Sequence, residues 1–418
     1  MATVQPLFPP APAHDVETMA AVAAALRERS GPNPPAVYDL RIDAPATDDE
    51  AALRFAKHQA LMRSYQGRFV LLPSEAPEGS IVARLHRHYD RGAMARVDAL
   101  RDDLEGELIE PLVLEAAAVA RSVDPLAYVA DVLPRVKRAP PSAFLAFLEA
   151  TPHREHHYRN FLIQSSADLL AEASASALGV IGEFGEPQSA LFRILIDEFG
   201  YGVHDKKHSV LYRRCIDGFG LNTEYNGYWS LFDERALELH NVIHSMFQTP
   251  AHFFRQVGFL LYAETSYQHS TGEHFRYLKR FHPAVDGTYF GEHAHIDLHH
   301  TAMVTDEVVR PLIARFGEEA GREIVLGAEL TALTFARSER HLLALGEAFE
   351  AAAARGDARF GMREPDAEPG PVATPASGDG RDGGRDGGSL QIGGIGVVTD
   401  PAALARFPEG TIGRAVRP

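Results

Sequence analysis

From residue 142 to residue 356 apolar residues recur every three or four positions, and runs that alternate apolar with polar residues are scarce. That spacing lines one face of an α-helix and cannot line one face of a strand, whose side chains repeat every second residue. An all-α fold is therefore expected. Phe253–Tyr267, His293–Phe316 and Gly321–Ala354 read as helices. So does FLIQSSADLLAEASASALGVIG, residues 161–182, taken as one Ala-rich helix. Gly/Pro/Asn/Asp clusters near 183–187, 217–227, 248–250 and 283–287 mark the joints. The best strand candidate is FVLLP, near residue 69.

The character of the chain changes along its length. Residues 1–35 are a Pro/Ala-rich arm, 36–140 an accessory helical region suited to dimerisation, and 141–356 the helical core. Residues 357–390 form a Gly/Pro/Asp-rich linker with an RDGG repeat, which cannot bury a core and is expected to be flexible. Residues 391–418 regain apolar side chains as a tail element, with Thr399-Asp400-Pro401 resembling a helix start. No run approaches the ~18 apolar residues of a membrane helix. The N-terminal MATVQPLFPPAPAHD lacks the basic start and apolar core of a signal peptide, so a cytoplasmic protein is expected.

Composition narrows the chemistry. Among 418 residues, 57 Asp+Glu against 41 Lys+Arg give a net charge of −16, which argues against general nucleic-acid binding. One cysteine excludes an internal disulfide framework and any multi-cysteine metal site. The 20 histidines leave carboxylate and imidazole as the available ligands, a pair that suits iron and manganese.

The sharpest motif is GEHAHIDLHHTAMVTDE, residues 291–307. At about 100° per residue, Asp297 falls near 40° and His300 near −20° from His293, so the three share a stripe while His295 and His299 point away. Facing helices must complete such a site. Glu172, Glu198 and Glu264 each sit in an otherwise apolar stretch, where an unpaired carboxylate is costly. His208 lies ten residues after Glu198. On an unbroken helix that is about 15 Å of rise, but Gly200 and Gly202 permit a bend. His204 is the fallback ligand on this segment.

Over roughly residues 145–350, DEFGYGVHDKKHSVLY, the isolated acids on either side and the His-x3-Asp-x2-His helix resemble the heme-oxygenase-like diiron oxidases and oxygenases, a family of iron-containing redox enzymes. The resemblance implies a heme-oxygenase-like helical bundle. It implies two iron ions held by Glu172, Glu198, His208, Glu264, His293, Asp297 and His300. Four carboxylates against two Fe(II) sum to zero charge, which eases burial. The third imidazole resembles the N-oxygenating branch. That branch implies O2-dependent oxidation of an amine, of an amino acid or small molecule in secondary metabolism, to a hydroxylamine, nitroso or nitro product. Electrons would come from an external donor, since no reductase domain is recognisable. The alternatives are oxidative C–C or C–H cleavage at the same centre, and a non-catalytic helical interaction protein. A homodimer is expected.

Other readings are weaker. A ferritin-like bundle needs two Glu-x-x-His motifs, and only Glu292–His295 is clear. HExxH and a dinucleotide fingerprint are absent. A haem enzyme needs one proximal ligand, not a set of acids. His240 and His244 have i, i+4 spacing without an obvious third ligand, which favours a second-sphere or surface role. Residues 221–229 (LNTEYNGYW), with Phe259, Tyr262 and Tyr267, are candidate pocket walls, Arg154–His157 reads as a polar helix start, and Cys215 as structural.

Overall fold

Short polar side chains and prolines set several helix starts. Asp124 Oδ1 accepts from Ala127 N at 2.8 Å ahead of Pro125, Ser142 Oγ from Leu145 N at 3.1 Å, and Asp233 Oδ1 from Ala236 N at 2.7 Å. The computed structural model describes residues 37–39, 49–70, 81–89, 91–225, 227–228, 232–355 and 361–363. Strand β1 (Val37–Asp39) precedes α1 (Asp49–Gln66), α2 (Ile81–His88), α3 (Arg91–Asp98), α4 (Arg101–Leu108), α5 (Glu110–Ala120), α6 (Pro125–Lys137) and α7 (Ala143–Ala150). The core follows: α8 (Arg154–Leu169), α9 (Ser174–Gly179), α10 (Glu186–Glu198), α11 (His208–Asp217), α12 (Glu234–Phe247), α13 (Phe253–Phe281), α14 (Thr288–Met303) and α15 (Arg310–Ala354). Strand β2 (Gly361–Arg363) pairs antiparallel with β1, Tyr38 opposite Met362.

The fold is all-α apart from that three-residue pairing, which the helical period does not show. Other differences are local. Residues 161–182 are not one helix: α8 stops at Leu169, a turn follows, and α9 starts at Ser174. Phe69 and Val70 follow α1 without forming a strand, and residues 71–73 lie outside the described residues. So do residues 1–36, most of 357–418 and the Thr399-Asp400-Pro401 signal. The expected division between Phe316 and Gly321 is present: Gly317, at φ 82°, interrupts α15.

The centre of the bundle is the crossing of α13 and α15. A Cβ on Gly258 would lie 1.9 Å from the Ile324 carbonyl oxygen, and one on Gly327 equally close to the Arg255 carbonyl oxygen. The two helices therefore meet backbone to backbone. Helix α14 packs along α13, and the wide π-type turn Val304–Val309 joins it to α15. The accessory helices lie beside the core: α1 packs on α12 and α4 through buried Leu61, Met62 and Tyr65, and α5 packs on α15. Among the described residues no helix is long and apolar enough to cross a membrane.

Candidate metal centre

Two breaks in the helices deliver the acids. Glu172 stands not on a helix but in the turn after α8, before Ala173, whose φ of 65° is left-handed. Tyr289 Oη donates to Glu172 Oε1 at 2.7 Å. Glu198 is the last residue of α10. Gly200, at φ 67°, reverses the chain there, and a Cβ on it would lie 2.5 Å from the Lys206 carbonyl carbon. Two short 3₁₀ turns then return the chain, so that His208, the first residue of α11, faces Glu198. His208 Nδ1 lies 2.7 Å from Glu198 Oε2 and 3.0 Å from His293 Nε2. His204, in the second 3₁₀ turn, is exposed and takes no part.

The stripe on α14 sorts as its phase predicts: His293, Asp297 and His300 are buried, while His295 and His299 are exposed. His293 Nε2 lies 3.4 Å from Glu172 Oε1 and 4.0 Å from Glu198 Oε2. His300 Nδ1 lies 3.1 Å from Glu264 Oε2, and 3.7 Å from both Glu198 Oε1 and Asp297 Oδ1. Two groups result, Glu172–Glu198–His208–His293 and Glu198–Glu264–His300, with Glu198 in both. Asp297 stands beside the second.

The nitrogens facing away from the cluster are tied. His293 Nδ1 donates to the Tyr289 carbonyl at 3.0 Å, and His300 Nε2 donates to Asp197 Oδ2 at 3.0 Å. Each ring thus turns its other nitrogen inward, as metal-binding imidazoles do. Asp197 and Tyr289 were not foreseen from the sequence. Their only signals were adjacency to Glu198 and an i−4 position relative to His293.

The protein atoms alone leave this cluster unbalanced. Asp297 is fully buried, yet among the described residues neither carboxylate oxygen has a hydrogen-bond partner, and Glu172 Oε2 is likewise unpartnered. Burial, reinforced by Glu264 and Glu198, raises the Asp297 pKa well above the usual carboxylate range. Burial opposes the charge on His300, but the hydrogen bond and charge of Glu264 lift its pKa to about 10. Burial also opposes His293, and Glu172, Asp297 and Glu198 raise it nonetheless. Glu198, despite burial, is drawn down to about 2 by His208. Protons thus sit among groups that chemically suit two divalent cations, and bare buried oxygens are the feature a metal would satisfy. The donor set fits iron.

A cavity reaches the cluster. Its walls include Leu191, Ile194, Phe259 and Leu260, and Glu172, Glu198, Glu264, His293 and Asp168 also face it. Of the expected wall aromatics, Phe259 and Tyr267 line it. Tyr262 instead leans on Phe335, with ring centroids 6.2 Å apart. Tyr228 is buried, whereas Asn226 and Trp229 lie outside the described residues. His240 and His244 are buried rather than at the surface, and Asp168 is the third group the sequence did not reveal. Cys215 is buried, and burial pushes its thiol up to about 12, consistent with a structural role.

The chain is 33% identical over 279 residues to a nitrosourea synthase of Streptomyces achromogenes subsp. streptozoticus, covering 66% of this chain and 58% of that one. The aligned part is thus under two thirds of the relative's length. Residues 159–335, which hold all seven candidate ligands, match the model of the family described as iron-containing redox enzymes.

Proposed function

We propose that the protein is a non-haem diiron N-oxygenase acting on the amine of an amino acid or small molecule. One observation carries the reading: two buried ligand groups share Glu198, the arrangement expected of a carboxylate between two ions. Glu172, His208 and His293 would hold one iron, and Glu264, Asp297 and His300 the other. Bound iron would supply O2 reduction and oxygen-atom transfer.

The chain's own residues set the conditions. Tyr289 steadies Glu172, and Asp197 fixes the ring of His300. Thr301 Oγ1 donates to the Glu264 carbonyl at 3.0 Å, tying α14 to α13 beside the site. The substrate nitrogen would approach from the cavity, along its apolar walls. The name of the matched relative, a nitrosourea synthase, favours nitrogen over carbon as the oxidised atom. Electrons are proposed to come from an external reductant.

The test is iron uptake followed by product analysis. Anaerobic Fe(II) titration should reach two ions per chain, and O2 with an amine substrate should give a product carrying oxygen on nitrogen. Loss of CO2 with an alkene would replace the reading by oxidative C–C cleavage. Absence of iron uptake would leave an interaction protein.

A further inference from the structure

Four carboxylates face the cavity: Glu172, Glu198, Glu264 and Asp168. The first three belong to the proposed ligand set. Asp168 does not, and among the described residues no Lys or Arg lines the cavity to compensate it. It lies near the end of α8, one turn before Glu172, and keeps 28% of its side chain exposed. Burial, with the charge of Glu172 behind it, pushes its pKa up to about 7.

Behind Asp168 stand His240 and His244, one turn apart on α12 and 1% and 2% exposed. His240 Nδ1 lies 3.9 Å and His244 Nε2 4.0 Å from the same atom, Asp168 Oδ1. Those gaps are too long for hydrogen bonds, so Asp168 is left to bond with a group on its cavity side. Neither nitrogen of His240 has a hydrogen-bond partner among the described residues, although the Ala167 carbonyl is near enough to favour a proton there. Burial holds both rings neutral, His240 with a pKa lowered to about 3.

The tautomer of His244 decides what the trio can take. Gln248 Nε2 donates to the Tyr65 carbonyl at 3.1 Å and to His244 Nδ1 at 3.0 Å. A neutral imidazole that accepts at Nδ1 carries its proton on Nε2. His244 therefore turns an N–H, not a lone pair, toward Asp168. A metal ion needs the lone pair, so a metal is the poorer occupant.

We propose that Asp168 is the binding residue for the cationic nitrogen group, ammonium or guanidinium, of the substrate, with His240 and His244 as positioning residues. Asp168 takes the charge, the His244 N–H stands 4.0 Å behind it with a favourable dipole, and His240 supplies a nitrogen that can accept a further N–H. The apolar wall accommodates the aliphatic part. An uncharged isostere loses the carboxylate's attraction, which is strong where water is scarce. This inference rests on reading the neighbouring cluster as an amine-oxidising centre.

The test is calorimetric titration of the full chain, metal-free and Fe(II)-loaded under nitrogen, at pH 8. The cations are pentylamine and butylguanidine, and the uncharged counterparts are pentanol and butylurea. The cations should bind about tenfold or more tightly than their counterparts. Asp168→Asn should erase that preference, changing affinity for the uncharged probes less than about twofold, and should still take up the wild-type amount of iron. His240→Asn should weaken only the cations, by a smaller factor. A misfolded variant would lose both probe classes together. Lack of a cation preference in the wild type, an undiminished preference in Asp168→Asn, or one metal ion per chain lost with Asp168 would each overturn the proposal. Loss of the preference in Asp168→Asn, in a protein whose wild type oxidises no amine, would uphold this site and refute the oxygenase reading.

Discussion

Near the end of α15, Glu350 gathers two histidines of the α8 entry. His153 Nδ1 and His157 Nε2 each lie 2.9 Å from a Glu350 oxygen, and Thr151 Oγ1 donates to the same carboxylate. At the cluster around Glu198 the same residue types meet differently. His208 Nδ1 and His293 Nε2 converge at 3.0 Å, and among the described residues neither oxygen of the buried Asp297 has a hydrogen-bond partner. The first group is a closed clamp whose carboxylate is met by direct bonds. The second is an open set with more carboxylates than cations and lone pairs directed at one space. Composition does not separate a structural ion pair from a metal site; unsatisfied buried donor atoms do.

Breaking the open set has the largest expected effect. Glu198→Ala removes the residue common to both ligand groups, so iron uptake should fall from about two per chain to near zero. The metal-free variant should also unfold somewhat earlier, since the ionised Glu198 carboxylate pairs with His208, but the further stabilisation that Fe(II) gives the wild type should be absent from it. Next comes Asp197→Ala, which frees the ring of His300. Iron affinity should drop about 10–100-fold with the ligands intact, read by competition with a chelator. Retained affinity would show that Asp197 does not position the ring.

The protons on the open set give a pH signature. With His300 raised to about 10 by Glu264 and His293 raised by Glu172, the charged form of both rings is favoured in the metal-free protein. Iron must displace those protons and the one that burial favours on Asp297, so affinity should rise with pH and uptake at pH 7 should release protons. Uptake without proton release would contradict the assignment of these rings.

The closed clamp should answer only to stability. Burial works against ionised Glu350, but the bonds from His153, His157 and Thr151 hold its pKa below the usual carboxylate range. That stabilisation is fully present above about pH 4.3, the ordinary Glu value, and is lost as pH falls through the lower folded value. Glu350→Gln should cost about 1–2 kcal/mol at pH 7, a figure reduced for partial solvent contact. It should flatten the acid limb of the stability curve and leave iron uptake unchanged. The smallest effect is expected of Tyr289→Phe, which removes one hydrogen bond to Glu172, worth about 1 kcal/mol, and should weaken iron binding several-fold.

The helical period made the bundle legible, because a stripe such as His293, Asp297 and His300 follows from 100° steps alone. The same rule failed at Glu172. Its Ala-rich surroundings favour helix locally, yet tertiary packing ends α8 at Leu169 and puts Glu172 in a turn. The return of His208 was readable only as a permission, given by Gly200 and Gly202; which imidazole comes back depends on the two 3₁₀ turns. Asp197, Asp168 and the Glu350 clamp were not legible, because their meaning lies in pairings across 70 to 200 positions of chain, such as His300 with Asp197 and His157 with Glu350.

Glu198 belongs to both candidate ligand groups, and the proposed function requires it to serve two iron ions. Mössbauer spectroscopy of wild-type protein loaded anaerobically with ⁵⁷Fe(II), with iron counted per chain, tests it most directly. The account predicts two irons per chain with exchange-coupled spectra after oxidation, and loss of both in Glu198→Ala. A single uncoupled iron, or two irons retained in Glu198→Ala, would contradict it.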